Sequence, residues 1–302
     1  MRVLLAGWSS VLHGEATAGD ELATRAVEEH LLAAGHDVVS VWSPAMSLVR
    51  AGPRDQRYDD VDPRRVDVAV WVCGPLAGQP VREFHTRFAH SRRLAVGVSV
   101  LDASDPAVAG FDAVVPRDAA GVVPQRDLAA RPPVEHAAVV GVFLTHGQGE
   151  YGDRRRHEQV SAGLATWLGG LDAATLELET RLDPRDWRLP ARAEHVAAVV
   201  ARLDVVVSTR LHGLVLALRA GVPCVAVDPV GGGGKVSAQA RAWGWPVLPA
   251  DEVSPAALDE RFAWCRSRTG RDAARAAREV AATAGEAQLA SLDSVLARRT
   301  AG

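Results

Sequence analysis

Lysine is almost absent from this chain: among its 34 Lys and Arg residues, only Lys235 is a lysine. Against that arginine bias the retained lysine marks a position where a guanidinium does not serve, because an ammonium is a compact charge on a flexible stem and a guanidinium a broad planar fork. Cysteine is scarce as well, and three residues exclude a disulfide framework. Cys73 and Cys224 lie in apolar strand-like runs and Cys265 in a helical stretch, so all three read as small buried hydrophobes. No Cys/His cluster has zinc spacing, and no metal is expected. No apolar run approaches the ~20 residues of a membrane helix, so no transmembrane segment is expected. Residues Met1–Ala6 read as a strand and lack the features of a secretory leader, which points to a cytoplasmic protein. A formal net charge of -3 gives no electrostatic footprint for nucleic acid. The sequence leaves the oligomeric state open, a homo-oligomer included.

What is present is an ordinary globular composition, 48% hydrophobic and 24% charged over 302 residues, enough for two domains of ~150 residues each. Strand-like and helix-like segments alternate, the pattern of βαβ units and parallel sheets. In the first half the expected strands are Arg2–Ala6, Asp37–Trp42, Val66–Cys73, Leu94–Val100 and Ala113–Val115, mostly continuous apolar runs as befits a sheet covered on both faces. A first helix is expected from about Asp20 to Ala34, with Leu22, Val27 and Leu31 on one face and Gly35 as its stop. Residues 131–138, with two prolines, read as a linker, which sets domains of 1–135 and 136–302. The second half supplies strands at Val139–Leu144 and near Thr175–Leu178, Val205–Val207, Cys224–Val227 and Pro246–Leu248. It ends in an alanine-rich helical stretch, about Arg271–Ala297, with one internal glycine. The fold class expected is α/β: two Rossmann-like domains facing a cleft, a GT-B-like architecture with a long C-terminal helix.

The sharpest chemical feature is Asp204-Val-Val-Val-Ser-Thr-Arg-Leu-His-Gly213, followed by an apolar helix to Ala220 and the stop Gly221-Val222-Pro223. Ser208 and Thr209 are N-cap residue types. Arg210 and His212 then fall at the first helical turn, where free N–H groups and the helix dipole favour an anion. Arg210 adds a bidentate fork and His212 a group that titrates near neutrality. Next comes Asp228-Pro-Val-Gly-Gly-Gly-Gly-Lys235, where Gly234 and its neighbours let backbone approach a ligand. It is not a Walker A loop, since Pro229 stands at the first glycine and Val236 where Ser or Thr would hold magnesium; it reads as a mobile anion loop with one lysine. Gly147, Gly149 and Gly152 match Gly-x-Gly-x-x-Gly formally, but Arg154-Arg155-Arg156 delays the helix, so a cleft loop carrying His146 and cationic arginines is the better reading than a dinucleotide site. In the first half, Gly7-Trp8, Gly19-Asp20-Glu21, Gly74 and Arg117 follow or border strand ends; Asp20 reads chiefly as a helix cap, and Arg117-Asp118 chiefly as a local ion pair.

In this order the motifs resemble the polysaccharide pyruvyl transferase family, most strongly over Asp204–Val227 with Ser208-Thr209-Arg210-Leu211-His212-Gly213, and more weakly at Gly19-Asp20-Glu21, at the glycine turn after Cys73 and at Val115-Pro116-Arg117-Asp118. The resemblance implies transfer of a pyruvyl group from phosphoenolpyruvate to hydroxyls of a sugar or sugar-containing acceptor as a ketal, with phosphate released and no cofactor beyond phosphoenolpyruvate as co-substrate. It implies His212 and Arg210 as catalytic residues and Arg210, Leu211, Lys235, Ser208, Thr209, Gly234 and His146 as the donor site. Gly7, Trp8, Asp20, Glu21, Gly74 and Arg117 are the expected acceptor side. A glycosyltransferase using a nucleotide sugar, a relative serving small-molecule biosynthesis and a non-catalytic binding module are the alternatives.

Overall fold

The computed structural model of the protein describes residues 1–11, 16–131 and 137–299. The chain divides into two compact units, Met1–Val134 and Glu135–Gly302. Most of the expected linker, 132–136, lies outside the described residues.

Unit one carries strands β1 (Arg2–Ala6), β2 (Asp37–Trp42), β3 (Asp55–Arg57), β4 (Val68–Val72), β5 (Arg92–Val100) and β6 (Ala113–Ala119), with helices α1 (Trp8–Val11), α2 (Ala18–Ala33), α3 (Gly78–Arg87) and α4 (Pro106–Ala109). The sheet order is β3-β2-β1-β4-β5-β6 and every neighbouring pair is parallel. The period of two along a strand divides β1 between two cores. Leu4 and Ala6 pack with Trp71, Phe84 and Phe88 on one face, while Val3 and Leu5 pack with Val70, Val72 and Ala23 on the other. That is why these strands read as unbroken apolar runs. The polar Asp-Gln-Arg of β3 gave no such signal; it is an edge strand, tethered by Trp42 Nε1 donating to Asp55 at 2.7 Å. Helix α2 begins at Ala18, two residues before the expected start, because Thr17 and Asp20 form a reciprocal capping box. Its buried face is set by Ala23 and Ala26, with Val27 and Leu31 packed beside them, whereas Leu22 is 41% exposed and does not join that face.

Unit two carries β7 (Val139–Phe143), β8 (Ala174–Glu177), β9 (Val205–Ser208), β10 (Cys224–Asp228) and β11 (Val247–Pro249). Its helices are α5 (His157–Gly169), α6 (Ala193–Val200), α7 (Leu211–Ala220), α8 (Lys235–Trp243), α9 (Pro255–Arg266), α10 (Arg268–Val280) and α11 (Glu286–Arg299). The order is β11-β10-β9-β7-β8, again all parallel, and again two cores flank the sheet. The expected C-terminal helical stretch is present as α10 and α11, divided at Gly285, whose φ of 86° a helix does not tolerate. No helix among the described residues is long and apolar enough to cross a membrane.

Both units are therefore doubly wound parallel sheets. In unit one the winding reverses between β1 and β4; in unit two it reverses between β7 and β9. At such a point neighbouring crossovers leave in opposite directions and open a crevice beyond the carboxyl ends of the strands.

Candidate functional site

Unit two holds a cavity of 320 Å³ at its reversal point, lined by His146 and Gln148 after β7, by Arg210, Leu211 and His212 after β9, and by Thr180 and Lys235. Helix α7 starts at Leu211 with Arg210 as N-cap residue, and no side chain caps it. The N–H groups of its first turn and the positive end of its dipole are thus available to an anion. Gly213 is required by packing: a Cβ there would lie 2.2 Å from Ser208 Oγ. The tight seating of α7 on the end of the sheet depends on it.

Ser208 and Thr209 do not face this cavity. Both are buried; Thr209 ties the two strand ends together and Ser208 fixes the turn into α7. Ser208 Oγ accepts from Arg210 N–H at 3.0 Å and donates to the Arg210 carbonyl at 2.9 Å, while Thr209 Oγ1 accepts from Thr145 N–H at 2.8 Å. The expectation of donor contacts and capping from this pair is corrected accordingly.

Arg210 reaches the cavity wall, but its fork is already engaged. Nε donates to the Leu144 carbonyl at 2.6 Å, Nη1 to Thr180 Oγ1 at 3.1 Å, and Nη1 and Nη2 bind both carboxylate oxygens of Glu179. Of the five guanidinium N–H groups, one is left for a ligand. Glu179 in turn accepts from the N–H groups of Thr180 at 2.7 Å and Arg181 at 2.9 Å. Burial alone would raise its pKa, but the Arg181 N–H, the Arg210 charge and the Thr180 N–H outweigh burial and hold it below the usual carboxylate value. Glu179 gave no sequence signal, because a lone Glu at a strand end reads as solvated. Its replacement by Gln is expected to keep the geometry and release the Arg210 charge toward the cavity. Anion affinity should then rise by about tenfold at low salt and less at high salt, measured by calorimetric titration with phosphoenolpyruvate. Unchanged or weaker binding would mean that Arg210 does not act on the cavity.

The glycine-rich loop is not the mobile anion loop expected. Asp228, fully buried at the end of β10, accepts from the N–H groups of Val230 (3.1 Å), Gly234 (2.7 Å) and Ser237 (2.7 Å). An internal carboxylate thus already occupies the start of α8. Gly232 and Gly233 turn the chain with φ of 75° and 86°, and Gly234 packs on Val230. Gly234 does not line the cavity, whereas Lys235, the first residue of α8, does. Among the described residues Lys235 forms no ion pair, so its charge is uncompensated. The loop after β7 likewise departs from a dinucleotide fingerprint: Gly149–Arg154 is a 3-10 turn and α5 opens only at His157. None of the three arginines lines the cavity. Arg155 donates to the Gly147 carbonyl and pairs with Glu158, Arg156 donates to the Asp153 carbonyl, and Arg154 lies over Tyr151.

Unit one has its own cavity, of 490 Å³, at the β1/β4 reversal. It gathers Trp8, Asp20, Gly74 and Arg117 from the expected acceptor side and adds Thr17, Cys73 and Asp127. Gly7 and Glu21 stay out of it. A Cβ on Gly7 would meet the Val72 carbonyl at 2.6 Å, so that glycine serves the approach of β1 and β4; Glu21 pairs with Arg25 and Arg50. Gly74 makes room for the Trp8 indole, which donates to the Pro75 carbonyl at 3.2 Å. Arg117 is held by Asp118, Asp127 and Ser99. Cys73, which sequence reasoning treated only as a strand filler, sits just past β4 at φ 63°, and burial pushes its thiol pKa up. That desolvation leaves it a poor nucleophile.

Fold and site define an α/β protein of two doubly wound units, with a cavity lined by His146, Arg210, His212 and Lys235 in the second. The model of the polysaccharide pyruvyl transferase family matches residues 178–229, the segment from the end of β8 to the start of the glycine-rich loop, which contains Glu179, Arg210, His212 and Asp228. No curated protein matches the chain. Among solved structures, similar chains include the spinosyn rhamnosyltransferase SpnG (11% identity, 97% of this chain and 100% of that one, TM-score 0.36) and the glycotransferase of kitacinnamycin (15%, 92% and 94%, 0.33). The E. coli heptosyltransferase WaaC with ADP is another (16%, 88% and 100%, 0.28).

Proposed function

We propose that the protein is a transferase that moves a pyruvyl group from phosphoenolpyruvate to two hydroxyls of a sugar-containing acceptor, as a ketal. The observation that carries this reading is the pairing, in one cavity, of an uncapped helix N-terminus with the uncompensated Lys235 and His212. Phosphoenolpyruvate bears a phosphate and a carboxylate and matches that positive potential. The family match over 178–229 supports the same donor chemistry. In the proposed reaction His212 gives a proton to C3 of the donor, which makes C2 electrophilic. Two acceptor oxygens bond to C2 and the C2–O bond to phosphate breaks. Of the two hydroxyl protons released, one restores the acid and the other leaves with the phosphate. Lys235 and the first-turn N–H groups of α7 stabilise the departing phosphate. Arg210 serves mainly to fix the ends of β7, β8 and α7. The acceptor, in this reading, uses the unit-one cavity with Trp8 and Asp20.

The test is thermal. Phosphoenolpyruvate at ~100 times its dissociation constant adds roughly 2.7 kcal/mol of stability. The rise in Tm should shrink in Arg210→Ala, because the freed Glu179 carboxylate would repel the donor. A rise with uridine or guanosine diphosphate sugars, and none with millimolar phosphoenolpyruvate, would replace this reading with nucleotide-sugar transfer.

The single lysine gives a second check. An ammonium follows a departing phosphate as a point charge, whereas a guanidinium prefers two oxygens in one plane. Lys235→Arg is expected to keep Tm and lose activity about tenfold, ~1.4 kcal/mol of transition-state stabilisation. Equal kcat/KM in steady-state kinetics would make Lys235 an ordinary surface charge.

A further inference from the structure

Unit two contains a second, larger cavity of 580 Å³ that shares His146 and Arg210 with the first. Its floor is apolar, formed by Phe143 at the end of β7, Leu178 past β8 and Val196 and Val199 of α6. The segment after β8 adds an apolar wall through Trp187, Leu189 and Pro190, while His146, His195 and Arg210 are polar groups on the other sides. Phosphoenolpyruvate, three carbons and a phosphate, needs neither this volume nor these walls.

The segment that carries Trp187 is braced by two equivalent clasps. The Asp183 carboxylate accepts from Arg185 N–H, Nε and Nη2, each at 3.0 Å. The Asp186 carboxylate accepts from Arg188 N–H, Nε and Nη2 at 3.0, 2.9 and 2.8 Å. Asp183 N–H donates to the Pro190 carbonyl at 3.1 Å and closes the loop. A braced loop thus holds Trp187 at the cavity while leaving the indole 93% exposed. So large an apolar face kept in water at the mouth of a cavity with an apolar floor is the usual anatomy of a ligand site rather than of a core.

We propose that the 580 Å³ cavity is a second ligand site, which takes a planar aromatic ring system with the Trp187 indole as one stacking face. The floor argues against a sugar, and several polar groups of the walls are already engaged or turned to water. Glu179 is spent on Arg210 and Arg188 on Asp186, while Glu177 and Arg181 are exposed at the rim. His146, His195 and the one free N–H of Arg210 remain at the wall, but sugar hydroxyls lying over the floor at Phe143, Leu178 and Val196 would lose water without gaining partners there. A flat ring forfeits no hydrogen bonds and gains contact on two faces. Rim charges of both signs give no preference for an ionic ligand. The site stands independently of the donor reading.

The test titrates the full chain with 2-naphthol and with its saturated counterpart decahydro-2-naphthol, by calorimetry and by tryptophan fluorescence. It is run on wild type, Trp187→Ala and Val199→Asp, with and without saturating phosphoenolpyruvate. Both substitutions are at exposed positions, so the fold should persist, and circular dichroism checks it. Expected are saturable binding of 2-naphthol, at least about tenfold weaker binding of decahydro-2-naphthol, at least about tenfold loss in each variant, and no displacement by phosphoenolpyruvate. The proposal is overturned if 2-naphthol does not saturate, if the saturated alcohol binds equally well, if both variants bind like wild type, or if phosphoenolpyruvate displaces 2-naphthol.

Discussion

His212→Gln is expected to lower kcat by about 100-fold or more, ~2.7 kcal/mol in the barrier, while changing the dissociation constant of phosphoenolpyruvate by less than about threefold. The separation of the two effects follows from where the residue sits. His212 is the second residue of α7, and its side chain lines the cavity without a hydrogen-bond partner among the described residues. The anion is held largely by groups the substitution leaves in place, namely the N–H groups of the first turn and Lys235. Glutamine matches the reach of the imidazole and can donate a hydrogen bond, but it cannot deliver a proton near neutral pH. A loss of transition-state stabilisation without loss of ground-state binding is what removal of an acid produces. Calorimetry gives the affinity, and rapid-mixing single-turnover kinetics gives the chemical step. Near-normal turnover would assign the proton to another group, with His146, on the wall of the same cavity, the next to replace.

Asp228→Ala is expected to have the largest effect on stability. The carboxylate is fully buried and satisfies three backbone N–H groups, one in the turn after β10 and two at the start of α8. Removing it leaves those donors without acceptors in a space that admits little water. Each orphaned donor costs on the order of 1–3 kcal/mol, partly recovered if a water enters, so a net loss of about 3 kcal/mol is expected. For a chain of this size that lowers Tm by roughly 6–12 °C. Asp228→Asn keeps one acceptor oxygen and turns an NH2 toward the other donors, so its loss should be intermediate. Both variants should also bind phosphoenolpyruvate more weakly, because Lys235 is the first residue of the helix that Asp228 fixes. Thermal melting by circular dichroism decides the matter: a change below about 2 °C in Asp228→Ala would show that the glycine loop is held by other contacts.

The strands of both sheets were legible in the sequence where burial on two faces demands unbroken apolar runs, as at Arg2–Ala6 and Val205–Val207. Glycine punctuation was legible too: Gly221 ends α7 at φ 76°, where only a residue without a Cβ is comfortable. The two clusters of polar residues at strand ends were found because parallel sheets gather loops at one edge. The polar edge strand β3 escaped, since three polar residues carry no burial signal.

What the linear pattern itself determined is the class of local element at each point and the presence of a histidine, a lysine and glycines at the ends of strands. Those properties depend on side-chain period, on backbone φ and on near neighbours, all of which a sequence carries. Only the tertiary structure decided which charges are free. Arg210, read as the anion fork, is matched by Glu179 from 31 residues away in the chain, on a neighbouring segment. The glycine run, read as a mobile anion loop, is held by the chain's own Asp228. Ser208 and Thr209 turn inward, Thr209 to join the end of β9 to the residue after β7 and Ser208 to fix the turn into α7. Whether a charge is spent or available depends on partners brought together by the sheet order, and no local pattern of residues records that order.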